Sequence, residues 1–136
     1  MKPKLRMTSS SIHTFNIDTT EPQAVCKGGN RTIINSNNFP ILKGMALYLL
    51  RLDRGGIREP HWHPNAAELS YCVKGKAIVT IFGPDSSLDT FTVDQGEIVF
   101  VPRGYIHHIE NIGIGEAKFV LAFSHEMPED LGITGS

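Results

Sequence analysis

From Lys43 onward, apolar and β-branched residues come in short alternating runs of strand length, each closed by a reversal signal. The runs are Met45–Leu52, Pro60–His63, Glu68–Val73, Lys76–Phe82, Asp89–Val93, Glu97–Val101, Ile106–Ile112 and Lys118–Phe123. Between them stand Gly55–Gly56, Lys74–Gly75, Gly83–Pro84–Asp85, Asp94–Gln95–Gly96 and Gly113–Gly115, all residues suited to turns. Many short strands with regular turns predict an all-β barrel or two-sheet jelly roll. A long amphipathic helix is not expected anywhere; Pro128–Glu129–Asp130–Leu131 is read as the start of a short helical turn.

The first forty residues differ. They are rich in Thr, Ser and Asn, with short β-prone pieces at Ile12–Phe15 and Thr32–Asn35 and a turn expected at Lys27–Gly28–Gly29–Asn30. Residues 1–42 are therefore read as an arm, 43–124 as the barrel and 125–136 as a C-terminal tail or lid. Added strands from such an arm would cover open sheet edges of the same barrel or a neighbouring one, which makes a homodimer or larger homo-oligomer the expected assembly.

Two fixed spacings carry the chemistry. One runs Gly55, His61, His63, Glu68, Gly75, and the other Gly96, Pro102, Gly104, His107, Asn111. His61 and His63 are two apart, so on a strand both project from one face. Glu68 returns after the turn pair Pro64–Asn65, and His107 arrives from a separate hairpin. Three imidazoles and a carboxylate gathered in this way predict one divalent metal ion. If the ion is six-coordinate, two positions stay open, which suits manganese, iron or nickel better than closed tetrahedral zinc. With neutral imidazoles the centre carries a net charge near +1 and attracts an anion.

These paired motifs resemble those of the cupin superfamily, whose first motif is Gly, five residues, His-x-His, three or four residues, Glu, six residues, Gly. The second is Gly, five residues, Pro-x-Gly, two residues, His, three residues, Asn. The resemblance spans Lys43 to Ser124 and implies the cupin double-stranded β-helix, a jelly-roll barrel. The run Ile57–Arg58–Glu59–Pro60–His61–Trp62–His63 is similar to the oxalate decarboxylase and germin-like branch, which implies manganese as the preferred ion. Iron, nickel and zinc stay open. It also implies a substrate-carboxylate contact for Arg58, since a guanidinium fork binds a carboxylate bidentately. Against this, Arg58 lies three residues before His61, so strict alternation puts it on the opposite face, where it would be a surface arginine.

In the resembled decarboxylases a lid glutamate in a Ser-Glu-Asn-Ser-Thr motif follows the last barrel strand. Here that stretch offers His125, Glu126, Glu129 and Asp130 instead. Glu129 is the first choice for a catalytic proton donor and Glu126 the second, beside the plain alternative that all four are solvated. A positioned acid matters because oxalate can lose carbon dioxide and gain a proton to give formate, or be oxidised to two carbon dioxides while dioxygen becomes peroxide.

Composition narrows the rest. The chain of 136 residues is one domain by length, with one copy of each motif, whereas the resembled decarboxylases carry two cupin domains. A net charge of −1 provides no basic field for nucleic acid or an anionic membrane. The basic start Met1–Arg6 runs into Thr8–Ser11, polar where an export signal would be apolar, and the apolar runs are strand-sized, so a soluble cytoplasmic protein is expected. Cys26, in a polar loop region, and Cys72, in an apolar strand, are read as free thiols. Trp62 is expected to face away from the ion, and His108 outward or into a second layer. The expected function is a metal-dependent enzyme acting on a small carboxylate such as oxalate, of decarboxylase or oxidase type. A cupin dioxygenase and a non-catalytic cupin that binds or senses a small anion are the alternatives.

Overall fold

The structure is a computed structural model and describes Pro3, Leu5 and residues 10–133. The basic residues of the N-terminal start, Thr8 and Ser9, and the final residues 134–136 of the tail lie outside the described residues. Nine strands and no helix are present among those described. They are β1 (Ala24–Ile34), β2 (Ala46–Trp62), β3 (Glu68–Lys74), β4 (Lys76–Phe82), β5 (Leu88–Asp94), β6 (Ile98–Val101), β7 (Ile106–Asn111), β8 (Ala117–Phe123) and β9 (Leu131–Gly132). Among the described residues no helix is long and apolar enough to cross a membrane.

The strands run in the order β5-β4-β7-β2-β8-β3-β6, with β1 and β9 also paired to β2. β2 organises the barrel because its two halves have different partners. Ala46–Leu52 pairs with β8, whereas Ile57, Arg58 and His61 pair with β7. The expected break at Gly55–Gly56 does not end the strand. Gly55 takes φ +73, a left-handed value that glycine adopts without a Cβ clash, and β2 passes through it from the stretch paired with β8 to the stretch paired with β7.

The period-2 pattern becomes the inner wall. On β8, Ala117, Phe119, Leu121 and Phe123 are buried and alternate with partly exposed residues; on β3 the buried set is Glu68, Ser70 and Cys72. Asn111 is a structural latch. Its Nδ2 donates to the carbonyls of Leu52, Asp53 and Gly115, and its Oδ1 accepts from Gly113 N–H, tying β2 to the β7–β8 turn.

Four local expectations are corrected. Lys27–Asn30 is not a turn but a bulge within the continuous β1, which pairs with β2 of the same chain. That places Cys26 in a strand, half-buried, rather than in a loop. Ile12–Phe15 is not a strand; Ile12 and His13 form a turn, and Phe15 packs on Phe39 at a ring separation of 5.3 Å. Pro128–Asp130 is extended rather than helical, because the segment pairs with β2 as β9 immediately afterwards.

One turn glycine has no substitute. Gly75 sits at φ +91, and a Cβ there would lie 2.7 Å from Glu116 O and 2.9 Å from Ala117 Cα. Both are backbone atoms and cannot swing away. Gly75→Ala is expected to cost about 1–3 kcal/mol, read as a drop of several degrees in thermal midpoint with the metal content unchanged.

Candidate metal centre

His61 and His107 are directly opposed across β2 and β7, and their rings lie 4.2 Å apart between centroids. His63 follows just beyond β2, where its carbonyl accepts from Gly104 N–H at 3.1 Å. The Pro64–Asn65 turn then returns the chain so that Glu68 opens β3. All four side chains are buried, and one ligand atom from each lies within 4.8 Å of the others.

The imidazoles are oriented by backbone carbonyls. Nδ1 of His61 donates to Glu59 O at 2.7 Å, that of His63 to Glu129 O at 2.8 Å and that of His107 to Tyr105 O at 2.9 Å. Each ring therefore keeps its Nε2 lone pair for a ligand. Glu68 is aimed in the same way, with Ser70 Oγ donating to its Oε2 at 3.0 Å while Oε1 lies 3.4 Å from His63 Nε2 and 3.6 Å from His107 Nε2. Nε2 of His63 and of His107 are buried and have no hydrogen-bond partner. Buried nitrogens in that state are costly unless a cation takes their lone pairs, so the donor set fits a divalent ion.

Charge agrees with that fit. Burial pushes the His61 imidazole well below its ordinary range, reinforced by the charges of His107 and Arg58, so it is neutral. Burial pushes the Glu68 carboxyl up, but His107 and His63 outweigh it and hold the group well below the usual carboxylate range. Burial also pushes His107 down, yet the charge of Glu68, 3.6 Å away, wins and raises it. Without metal, His107 holds a proton more tightly than a free imidazole does, and an incoming cation competes with that proton.

Arg58 is buried at 5 % exposure and lines the same cavity as the four clustered residues. The alternation argument against it fails for a local reason. Arg58 pairs with Ile109 and His61 with His107, three residues on β2 against two on β7, with a register shift between. That extra residue is a β-bulge, and it turns both side chains inward.

The two proposed acids are placed differently from expectation. Glu129 is exposed, and what it contributes is backbone: its carbonyl to His63 and its N–H to Asn65 Oδ1. Glu126 accepts from Gly44 N–H and sits 3.5 Å from His125. Neither lines the cavity; the tail acid that does is Asp130. The reason is the extended path of Pro128–Asp130, which turns alternate side chains in and out.

Asp130, Arg31 and Tyr48 are among the cavity residues that sequence reasoning missed, as are Ser70 and His108. Asp130 was set aside for its neighbour Glu129. Arg31, in β1, also lines the cavity and bonds Asp130 through Nη1, but no spacing motif marks it. Tyr48 sits in an apolar run that reads simply as core; burial pushes its phenol up to about 12, so it remains a neutral hydroxyl.

The cupin sequence profile matches residues 15–134, nearly the whole described chain. The chain belongs to the cupin family. This cupin is 36% identical over 120 residues to oxalate decarboxylase OxdC of Bacillus subtilis, covering 88% of this chain and 31% of that protein. It is 33% identical over 102 residues to germin-like protein 1-1 of Oryza sativa, covering 74% of this chain and 47% of that protein. A solved structure of Bacillus subtilis oxalate decarboxylase, studied for its Mn(II) centres, superposes with a TM-score of 0.82 at 34% identity, covering 86% of this cupin and 31% of that chain. This cupin thus spans about a third of the decarboxylase and about half of the germin-like relative.

Proposed function

We propose that this cupin is a metal-dependent enzyme acting on a small carboxylate of the oxalate class, with manganese as its ion. The observation that carries the reading is the placement of Arg58 in one cavity with the convergent ligand atoms of His61, His63, Glu68 and His107. The Mn(II) centres of the structurally similar decarboxylase support the choice of ion.

A divalent ion held by His61, His63, Glu68 and His107 would supply a Lewis acid for a carboxylate. The protein does the rest. Arg58 orients the far end of the acid, and the surrounding Val79, Val99, Val101 and Ile109 exclude water and strengthen both charge contacts. The cavity volume is about 30 Å³, room for a few waters at most, which restricts the ligand to a few heavy atoms.

The product depends on a proton. Loss of carbon dioxide from hydrogen oxalate gives formate if a proton reaches the new C–H; oxidation of oxalic acid by dioxygen gives two carbon dioxides and hydrogen peroxide. Among the described residues lining the cavity the carboxyls are Glu68 and Asp130. Glu68 belongs to the metal cluster. Burial pushes Asp130 up, but Arg58 overrides this and holds it below its ordinary range, so it is ionised and a poor acid. Tyr48, whose phenol stays protonated at neutral pH, also lines the cavity.

The test is to load the purified chain with manganese, supply oxalate under air, and assay formate and peroxide together. Turnover to either product is the expected result. The non-catalytic reading is favoured by one observation, the occupation of Arg58 by Asp130. Oxalate that binds to the loaded chain without turnover, in air and in its absence, would select it.

A further inference from the structure

Three charged groups from distant parts of the chain meet at one end of the cavity: Arg31 on β1, Arg58 on β2 and Asp130 just before β9. Arg58 Nη2 lies 2.5 Å from each Asp130 carboxylate oxygen, and Arg31 Nη1 bonds one of them. One carboxylate therefore shares two guanidinium groups. The Arg31 and Arg58 side chains are only 13% and 6% exposed, so bulk water does little to offset the unequal charge.

The arrangement is incomplete in a specific way. Arg31 Nε is buried and has no hydrogen-bond partner. Asp130 uses one nitrogen of that guanidinium, although a carboxylate meeting it side-on would take Nε and an Nη together. The place is also reachable from outside. Arg31 and Arg58 line both the metal cavity and an outer cleft of about 130 Å³ edged by Cys26, Lys27 and Glu59, so the guanidinium pair forms the wall between the two.

We propose that Arg31 and Arg58 form a two-guanidinium anion seat for the carboxylate of the ligand that points away from the metal, and that Asp130 is its internal occupant. Arg31 is then a specificity-determining residue. A ligand with two carboxylates spans the metal and the seat and displaces Asp130, whereas a monocarboxylate reaches only one of them. Displacement frees the tail segment leading into β9. The proposal deepens the metal-dependent carboxylate reading, and the seat itself needs no metal.

That last point separates the two in the test. In metal-stripped protein, Asp130→Ala vacates the seat, and acetate added at millimolar concentration should refill it. The thermal midpoint of Asp130→Ala should rise with acetate by several degrees more than with the same concentration of chloride, while wild type shows no such difference. Adding Arg31→Gln should abolish the gain. In manganese-loaded protein, Asp130→Asn should bind oxalate at least tenfold more tightly than wild type, and Arg31→Lys should bind it at least tenfold more weakly with its metal content unchanged. Acetate that fails to raise the midpoint of Asp130→Ala beyond chloride overturns the seat. Should Asp130→Ala not fold even with acetate, Arg31→Lys decides: oxalate affinity equal to wild type overturns the proposal. Acetate rescue without oxalate binding at the metal would retain the seat and reject the oxalate reading instead.

Discussion

His61→Ala combined with His107→Ala is expected to take the folded chain from about one bound divalent ion to a few per cent of that, measured by elemental analysis after dialysis. Two of four donors are lost, and the survivors His63 and Glu68 leave an ion with a single imidazole and a single carboxylate. Changes to groups that merely orient a metal ligand cost about 10–100-fold in affinity, so losing two ligands should exceed about 10³-fold. Circular dichroism must show the β signature retained. The comparison variant is His125→Ala, whose partly exposed ring sits beside Glu126, away from the cluster, and which should keep its metal. Unchanged metal content in the folded double variant would refute the ligand assignment.

The same site predicts a pH dependence of metal content. Free imidazole titrates near about 6.5, and the metal-free His107 holds its proton more tightly than that because of Glu68. Protons therefore compete with the ion from above that pH, and occupancy falls as the solution is acidified through it. His61, held low by burial, is not where the competition starts.

The second large effect is expected from Arg58→Lys. The ammonium keeps the positive charge but lacks the planar fork, so it replaces paired hydrogen bonds to a carboxylate with a single point contact. Oxalate affinity for the manganese-loaded protein should fall by more than about tenfold, corresponding to roughly 1.5–3 kcal/mol of charge-assisted hydrogen bonding. Metal content should not change, because Arg58 is not among the clustered ligands. Calorimetry on both proteins decides it. Equal affinities would show that Arg58 serves only to hold Asp130 in place, a structural contact rather than a ligand contact.

How much of this was legible in the chain depended on the range of each interaction. The motif spacings named His61, His63, Glu68 and His107 because a chelating ribbon is local: two donors on one strand, a turn, and an acid at the start of the next. Strand bounds within the barrel were close for the same reason; Lys76–Phe82, for example, is β4 without change. Errors fell where a glycine or a bulge altered a strand without ending it. Gly55 and Gly56 read as a break but let β2 change partner from β8 to β7, and the shift between Arg58 and His61 reversed the face that alternation assigned to Arg58.

By itself the sequence determined the all-β class and the cluster of His61, His63, Glu68 and His107, since both follow from period-2 alternation and short turns within a few residues of chain. Only the tertiary structure decided that the apparent arm supplies a strand to its own barrel, that Arg31 and Asp130 meet Arg58, and that Glu129 offers its backbone to His63 while its carboxylate faces out. Arg31 and Asp130 are 99 positions apart, and no local propensity links them. They meet because β1 and β9 both dock on the long strand β2, and two cations buried beside a metal cavity require an anion that the folded chain takes from its own tail.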